Sequence, residues 1–276
     1  MLVHPVTIIR SRNNSLVGQF RSAAKARRQN RGVLLLDGVR LIRDAEAADV
    51  PIVSAFVSHS ALVQEVQTVV ELAKRLEEIG ASVVFGTDLV MEAVSPTHSP
   101  SDVVALGHGG PVPLNSVLQS AVNRNACVVA AVHIQEPGNL GAIVRTADAA
   151  GAGGVVVTEQ SADPFGWKSL RGAMGSTFRL PISDGTNAIK TVEDAKTVGF
   201  KVLAAIPRKG TNLYDTALDG RILILIGGEG NGLQARISDL ADITVSIPMA
   251  PYVDSLNVAA ATAVILYEVR RQNMQR

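Results

Sequence analysis

The 276-residue chain has few of the residues that build several common kinds of site. A single cysteine, Cys127, excludes a disulfide framework and a cysteine-based zinc site. The five histidines lack the H-x-x-x-H type of spacing, so we expect no metal site. Phe, Trp and Tyr make up only 4% of the chain, which argues against an aromatic platform for stacking nucleic-acid bases.

Long apolar runs are also missing. A membrane-spanning helix needs roughly 20 apolar residues, and the longest candidate, residues 258–267, has about half that length. Residues 1–12 lack a basic end followed by a long apolar stretch, so we expect no signal peptide. We therefore expect no membrane partner and a reducing, cytoplasmic setting.

The net charge of the whole chain does not indicate a binding partner, because 26 basic and 25 acidic residues give only +1. Locally, nine basic residues and one acid, Asp37, fall between Arg10 and Arg43. Such a cluster favours contact with a polyanion, although a solvated helix face is the alternative. The candidate RNA-binding residues in it are Arg21, Lys25, Arg27, Arg28 and Arg31.

Hydrophobic residues make up 47% of the chain, enough to build a core, and the length suits one large domain or two modest ones. In the first part, helices are predicted at 12–30, 38–48, 62–79 and 88–94, and strands at 33–36, 50–58, 82–85 and 103–106. This alternation predicts a small α/β unit. The Gly- and Pro-rich stretch 107–113 predicts a boundary, with a domain at 1–107, a linker at 108–116 and a second domain at 117–276, unless the stretch is an ordinary surface loop.

The second part repeats the strand–helix rhythm. Strands are predicted at 127–134, 154–158, 201–206, 221–226 and 243–247, and helices at 140–150, 187–198, 233–240 and 255–271. Runs of β-branched residues suit strands covered on both faces, so a mostly parallel α/β sheet is predicted. Ligands bind such sheets at the carboxyl ends of their strands, where three loops rich in Gly, Asn or Pro follow.

The first loop, residues 136–146, leads into a helix. Asn139 is a good helix-capping residue, and Gly141 allows another backbone to come close. Arg145 stands among Ala and Ile residues, which is expected of a side chain that faces a cleft. A salt-bridged arginine on a solvated face is the alternative.

The second loop, residues 226–232, has four glycines within six positions. Glycine at this density allows a tight turn and exposes backbone groups to a ligand. A dinucleotide-binding fingerprint fits poorly, because that motif follows the first strand of its domain. A plain tight turn is the alternative, but it does not explain Glu229.

The third loop, residues 247–258, contains two prolines and runs into an Ala-rich helix. Ser255 and Asn257 are typical N-terminal capping residues, so capping alone is a sufficient reason for both.

Taken together, the three loops resemble the SpoU (TrmH) family of RNA ribose methyltransferases in the SPOUT superfamily. The family motifs N-x-G-x-x-x-R, G-x-E-G-x-G and I-P-M…S-L-N are matched by Asn139, Gly141 and Arg145, by residues 227–232, and by residues 247–249 with 255–257. Residues 171–176 resemble the family's connecting segment, and Arg171 there is a further candidate for RNA binding. Residues 165–167 depart from the Asn- and Pro-containing stretch often present before it.

The resemblance implies a C-terminal parallel-sheet domain with a trefoil knot, and a smaller N-terminal α/β domain similar to ribosomal-protein-like substrate-binding domains. It implies S-adenosyl-L-methionine as cofactor, RNA (most of all ribosomal RNA) as substrate, and a homodimer through the knot and last helix. The implied cofactor-binding residues are Gly227, Gly228, Gly230, Ile247, Met249, Ser255, Leu256 and Asn257.

The implied reaction transfers a methyl group from a sulfonium to a ribose 2′-hydroxyl. A guanidinium stays protonated, its pKa being above about 12, so Arg145 is expected to hold a phosphate and stabilise the developing alkoxide. Glu229 is an alternative proton acceptor. The implied catalytic set is Arg145, Asn139, Glu229, Ser255 and Asn257.

Two other substrates or functions stay open: methylation of transfer RNA, and an RNA-binding protein that keeps the fold without catalysis. A dinucleotide-dependent oxidoreductase is a more distant alternative. The presence of all five catalytic residues argues against loss of activity.

Overall fold

A computed structural model describes residues 8–25, 32–230 and 232–274. The chain divides into two compact units. The first unit contains the described residues up to Gly110 together with Phe165–Arg171. The second unit contains Pro111–Pro164 and the described residues from Gly172 onward.

The first unit is a mixed sheet covered by helices. Its elements are β1 (Ile8–Ile9), α1 (Ser15–Lys25), β2 (Gly32–Asp37), α2 (Val39–Ala47), β3 (Ile52–Ser58), α3 (His59–Val63), α4 (Gln67–Glu78), β4 (Ser82–Gly86), α5 (Asp88–Val94) and β5 (Val103–Gly109). The strand order is β1-β4-β3-β5-β2, with β5 antiparallel to both of its neighbours. Phe20 of α1 packs edge-on against Phe56, with 5.0 Å between ring centroids, so the buried face of α1 joins the core.

The second unit is built on a parallel sheet. Its elements are α6 (Leu114–Arg124), β6 (Val128–Val132), α7 (Pro137–Ala150), β7 (Gly154–Thr158), the end of α8 (Trp167–Ala173), α9 (Ser176–Arg179), β8 (Ile182–Thr186), α10 (Ala188–Thr197), β9 (Lys201–Ala205), β10 (Thr211–Asn212), β11 (Ile222–Gly227), α11 (Ala235–Ser238), β12 (Ile243–Ser246) and α12 (Val258–Met274).

The strand order of this sheet is β10-β12-β9-β11-β6-β7-β8, and every pairing is parallel. The predicted parallel α/β sheet is therefore confirmed. Strands β6 and β7 are buried along their whole length, in keeping with the Val and Ala residues of β6 and the three consecutive valines of β7. Because all strands run the same way, the loops after β6, β9, β11 and β12 leave from one edge. The trefoil knot stays a prediction.

Several predicted boundaries were wrong. The predicted helix 62–79 is broken between α3 and α4, where Glu65 has a φ of 52° that no helix continues through. The predicted helix 233–240 is reduced to the four residues of α11. Strand β5 runs on through Gly109, because His108 and Gly109 pair with β2. Helix α6 lies where no element was predicted.

Within the described ranges, no helix combines the length and the hydrophobicity needed to cross a bilayer.

Candidate active site

A cavity of about 380 Å³ lies at the carboxyl ends of β9, β11 and β12 in the second unit. Its volume falls within the range of small-molecule sites, roughly 300–1,000 Å³. Apolar groups such as Ile226, Val245 and Ile265 form its floor. All eight predicted cofactor-binding residues line it: Gly227, Gly228, Gly230, Ile247, Met249, Ser255, Leu256 and Asn257. The structure thus brings the second and third loops to one cavity.

The glycines of the second loop permit very close backbone contacts. A Cβ on Gly228 would lie 2.0 Å from the carbonyl oxygen of His133, and one on Gly227 would lie 2.3 Å from the carbonyl carbon of Gly232. The Gly232 N–H donates to the Gly228 carbonyl over 3.1 Å and closes the turn. The loop is therefore a tight turn and also a wall of the cavity.

A chain of side-chain hydrogen bonds connects the three loops. Asn139 Nδ2 donates to Glu229 Oε1 over 2.6 Å, and Asn257 Nδ2 donates to Asn139 Oδ1 over 3.0 Å. A tight turn alone would give Glu229 no such partner. We call Asn139, Glu229 and Asn257 the amide relay.

The direction of the amide relay is set by helix α12. Asn257 Oδ1 accepts from the N–H groups of Ala259 and Ala260, at 2.9 and 3.3 Å. The expected capping role of Asn257 is thus present, and it leaves the amide nitrogen of Asn257 to face Asn139. Asn139 must then accept on Oδ1 and donate from Nδ2, so Glu229 receives a hydrogen-bond donor on Oε1. Ser255 lies on the cavity wall and does not enter the relay.

The cap of α7 is Glu136, and the expectation that Asn139 caps this helix was wrong. Glu136 Oε2 accepts from the Asn139 N–H over 2.6 Å, and Pro137 occupies the first turn. Proline is favoured at the first helical position, since its missing N–H would have no partner there. That signal was available in the sequence and places the cap at residue 136. Capping by Glu136 leaves the side chain of Asn139 free for the relay.

Arg145 lies on α7, exposed, and it makes no hydrogen bond or ion pair with any residue that the structure describes. Arg145 is therefore not the salt-bridged arginine that the sequence left as an alternative. The close backbone approach expected at Gly141 is present: a Cβ on Gly172 would lie 3.3 Å from Gly141 Cα. Asp148, one turn beyond Arg145, is paired with Arg179.

The predicted RNA-binding residues belong to the first unit. Arg21 and Lys25 are exposed on α1, while Arg27, Arg28 and Arg31 lie outside the described residues. Arg171 is exposed on α8.

Burial raises the pKa of Asp37. Hydrogen bonds from Ser95 and Ser101 and the positive charge of Arg171 oppose this rise.

Among the described residues, no group of three His, Cys, Asp or Glu side chains could hold a metal ion. Burial raises the pKa of the Cys127 thiol to about 11, so this group is a poor nucleophile.

Comparison with known proteins identifies relatives over the whole chain. Residues 126–267 match the SpoU rRNA Methylase family. An uncharacterized tRNA/rRNA methyltransferase of Synechocystis is 33% identical over 98% of this chain and 96% of its own length. The 23S rRNA (guanosine(2553)-2′-O)-methyltransferase RlmP of Bacillus subtilis is 32% identical over 70% of this chain and 74% of its own.

A solved structure is similar to the chain as well. The SpoU methyltransferase AviRb of Streptomyces viridochromogenes, in complex with the cofactor AdoMet, is 28% identical with a TM-score of 0.83. The similarity covers 94% of this chain and 98% of AviRb. These findings confirm the family resemblance drawn from the three loops.

Proposed function

Because this chain belongs to the SpoU rRNA Methylase family, we propose that it transfers a methyl group from S-adenosyl-L-methionine to a ribose 2′-hydroxyl in RNA. The observation that carries this function is the amide relay beside the cavity. It joins one polar residue from each of the three loops at a single place.

The cavity fits the cofactor. Its apolar floor suits the uncharged parts of the molecule, and the close-packed turn at Gly227 and Gly228 presents backbone in place of side chains. Backbone groups of Gly227, Ile247 and Leu256 would hold S-adenosylmethionine, as the family resemblance implies. When bound, this cofactor supplies an electrophilic methyl group on a sulfonium.

Within the site, Arg145 binds the RNA phosphate next to the reacting ribose and stabilises negative charge on the 2′-oxygen. Its exposed guanidinium has no partner among the described residues, so its five N–H donors are available. A guanidinium cannot serve as a base at neutral pH, because it stays protonated there. Arg145 therefore acts by charge, in the manner of an oxyanion-stabilising group.

Glu229 is the better acceptor for the 2′-hydroxyl proton. Asn139 holds its Oε1, and its Oε2 has no hydrogen bond to a described residue. An exposed carboxylate fixed through one oxygen can accept a proton on the other. Ser255 and Asn257 line the same cavity and position the ribose and the relay.

Ribosomal RNA is the proposed substrate, since the B. subtilis relative is named for 23S rRNA. Transfer RNA is the second candidate, because the Synechocystis relative is named for both. The basic residues of the first unit are proposed to bind the RNA. We also propose a homodimer through α12, which exposes Tyr267 and Met274. Light scattering on the purified protein would give its mass.

Two measurements test the proposed function. Calorimetry should show binding of S-adenosylmethionine or S-adenosylhomocysteine and none of NAD. Mapping of 2′-O-methyl groups in RNA from cells with and without the gene should reveal one site lost in ribosomal or transfer RNA. Saturable NAD binding with no S-adenosyl binding would overturn the proposal, and cofactor binding without any lost methyl group would favour a non-catalytic RNA-binding protein.

A further inference from the structure

Arg145 has one ionisable neighbour on its own helix. Residues three or four positions away share a face of a helix, and for Arg145 these are Gly141, Ala142, Asp148 and Ala149. A carboxylate at that spacing can form an ion pair with the arginine. Such a pair would occupy the guanidinium that the proposed reaction needs free.

Asp148 is instead occupied by Arg179, the last residue of α9. The Nε and Nη2 atoms of Arg179 donate to Asp148 Oδ2 over 3.1 and 2.9 Å. Nη2 also donates to Ser176 Oγ over 3.1 Å, and Ser176 is buried. The Asp148 side chain is 24% exposed and that of Arg179 is 47% exposed, so this pair is partly shielded from solvent.

From this arrangement we propose that Arg179 is a positioning residue: it holds Asp148 and so keeps Arg145 free for the ribose and its phosphate. The inference rests on the proposed function, because the freedom of Arg145 matters only if Arg145 acts in the reaction. In the absence of Arg179, the partly buried carboxylate of Asp148 would turn to Arg145. The reaction would then have to break that pair before each transfer.

The test is a double-mutant cycle on single-turnover methyl transfer, with Arg179→Ala made in the natural chain and in an Asp148→Asn background. Arg179→Ala should slow transfer about 2- to 5-fold when residue 148 is Asp, because partly exposed ion pairs are weak. It should have little effect when residue 148 is Asn, which carries no charge to capture Arg145. Equal loss in both backgrounds, or no loss in the first, would overturn the proposal.

Two further readouts separate this role from others. If Arg179 instead bound an RNA phosphate, Arg179→Ala would weaken RNA binding whether residue 148 is Asp or Asn. If it were needed only for folding, thermal unfolding and S-adenosylhomocysteine affinity would change together with rate. Arg179→Gln, which keeps length without charge, replaces Arg179→Ala in the cycle if the alanine variant does not fold.

Lys190→Ala is a matched control, because it removes another surface ion pair of the second unit, Lys190–Asp194 at 2.9 Å. Its transfer rate should equal that of the natural chain. A natural chain that transfers no methyl group would contradict the proposed function and not this pairing. In that case a crystal structure of Arg179→Ala decides: an Arg145–Asp148 contact within ion-pair distance supports the proposal, and its absence overturns it.

Discussion

The side-chain amide of Asn139 donates to Glu229 Oε1 over 2.6 Å, although the two residues are 90 positions apart. This bond joins the start of α7 to the turn after β11. Asn257 extends the connection to α12, whose first N–H groups orient the whole relay. The position of the Glu229 carboxyl group is thereby linked to the capping of a helix.

The relay predicts that Asn257→Asp slows methyl transfer although it leaves the stability of the protein nearly unchanged. Aspartate caps helices as well as asparagine does, so α12 should keep its stability. An aspartate at position 257 has no N–H donor for Asn139, and it adds a second negative charge beside Glu229. We expect methyl transfer to slow by roughly 10-fold or more, because a donor aligned in the site is lost.

Asn257→Ala is the comparison for this variant, since it removes both the cap and the donor. It should lose rate and, in addition, about 1 kcal/mol of unfolding free energy. Single-turnover rates and urea unfolding of the two variants check the prediction. Full activity in Asn257→Asp would mean that the relay does not orient Glu229.

Removal of the Arg145 guanidinium should slow transfer on the order of 10²-fold or more, if it stabilises charge at the reacting ribose. Affinity for S-adenosylhomocysteine should stay nearly unchanged, because Arg145 is not among the cavity-lining residues. Arg145→Lys should not restore the rate, since an ammonium cannot reproduce a planar fork of donors. Near-normal single-turnover rates in Arg145→Ala would place the catalytic group elsewhere.

Some of this site could be predicted from the sequence and some could not. The loops at 226–232 and 247–258 lie at the carboxyl ends of strands, as predicted, because β11 is a short apolar run between glycines and the chain after β12 soon meets Pro248. Asn139 and Asn257 both suit a helix start, but Pro137 favours a cap at residue 136 for α7. In the structure Asn257 caps α12, and Glu136 caps α7 in place of Asn139. The contact of Asn139 with Glu229 could not be predicted, because 90 positions separate the two residues.

The pairing of Arg179 with Asp148 also could not be predicted from the sequence, since 31 positions separate the two residues. Helix α6 carries a regular apolar face at Val117, Leu118 and Ala121, so its periodicity is a sequence signal for a helix here. The break between α3 and α4 depends on one left-handed residue, Glu65, and glutamate gives no signal for that conformation.

The turn after β11 predicts that Gly228→Ala weakens cofactor binding. The added Cβ would lie 2.0 Å from the His133 carbonyl oxygen, so backbone must move at the cavity wall. Overpacking of this kind costs about 1–3 kcal/mol, which corresponds to a loss of roughly 5- to 150-fold in affinity. Calorimetry with S-adenosylhomocysteine measures the change.

Gly18→Ala in α1 is the control for the glycine substitution, because a Cβ there has nothing within 4 Å. It should leave cofactor affinity unchanged and raise the unfolding free energy by about 0.5–1 kcal/mol, as glycine disfavours helix. Unchanged affinity in Gly228→Ala would show that this turn does not shape the binding cavity.

A buried carboxyl in α12 predicts how stability depends on acid pH. The hydrogen bond from Arg271 lowers the pKa of Glu268 below its ordinary value of 4.5, against burial, which raises it, while Gln272 and the charge of Arg271 help to lower it. A lowered folded pKa gives stability that is present above the unfolded pKa and lost as pH falls through the folded one. The unfolding free energy of the natural chain should therefore drop more steeply than that of Glu268→Gln between about pH 5 and 3.

Urea unfolding across that pH range checks the Glu268 prediction. Glu193→Gln, which alters an exposed carboxyl on α10, is the control and should follow the natural chain. Parallel curves for the natural chain and Glu268→Gln would mean that Glu268 contributes nothing to the acid dependence.

The exposed cations of α1 give the last prediction, which concerns RNA docking. Val17 and Phe20 hold the helix to the core of the first unit, while Arg21 and Lys25 point away from it, so both charges can be removed without loss of packing. Phosphate contacts release counterions, and each one lost changes the slope of log affinity against log salt by roughly 0.7–0.9. We expect the Arg21→Ala/Lys25→Ala variant to have a slope shallower by about 1.4–1.8 and unchanged S-adenosylhomocysteine affinity.

Lys74→Ala is the matched control, because Lys74 is an exposed cation on α4 of the same unit, and this variant should keep the natural slope. Superimposable lines for all three proteins would mean that Arg21 and Lys25 form only a solvated helix face, and the phosphate contacts would then have to be sought at Arg171 and its neighbours on α8.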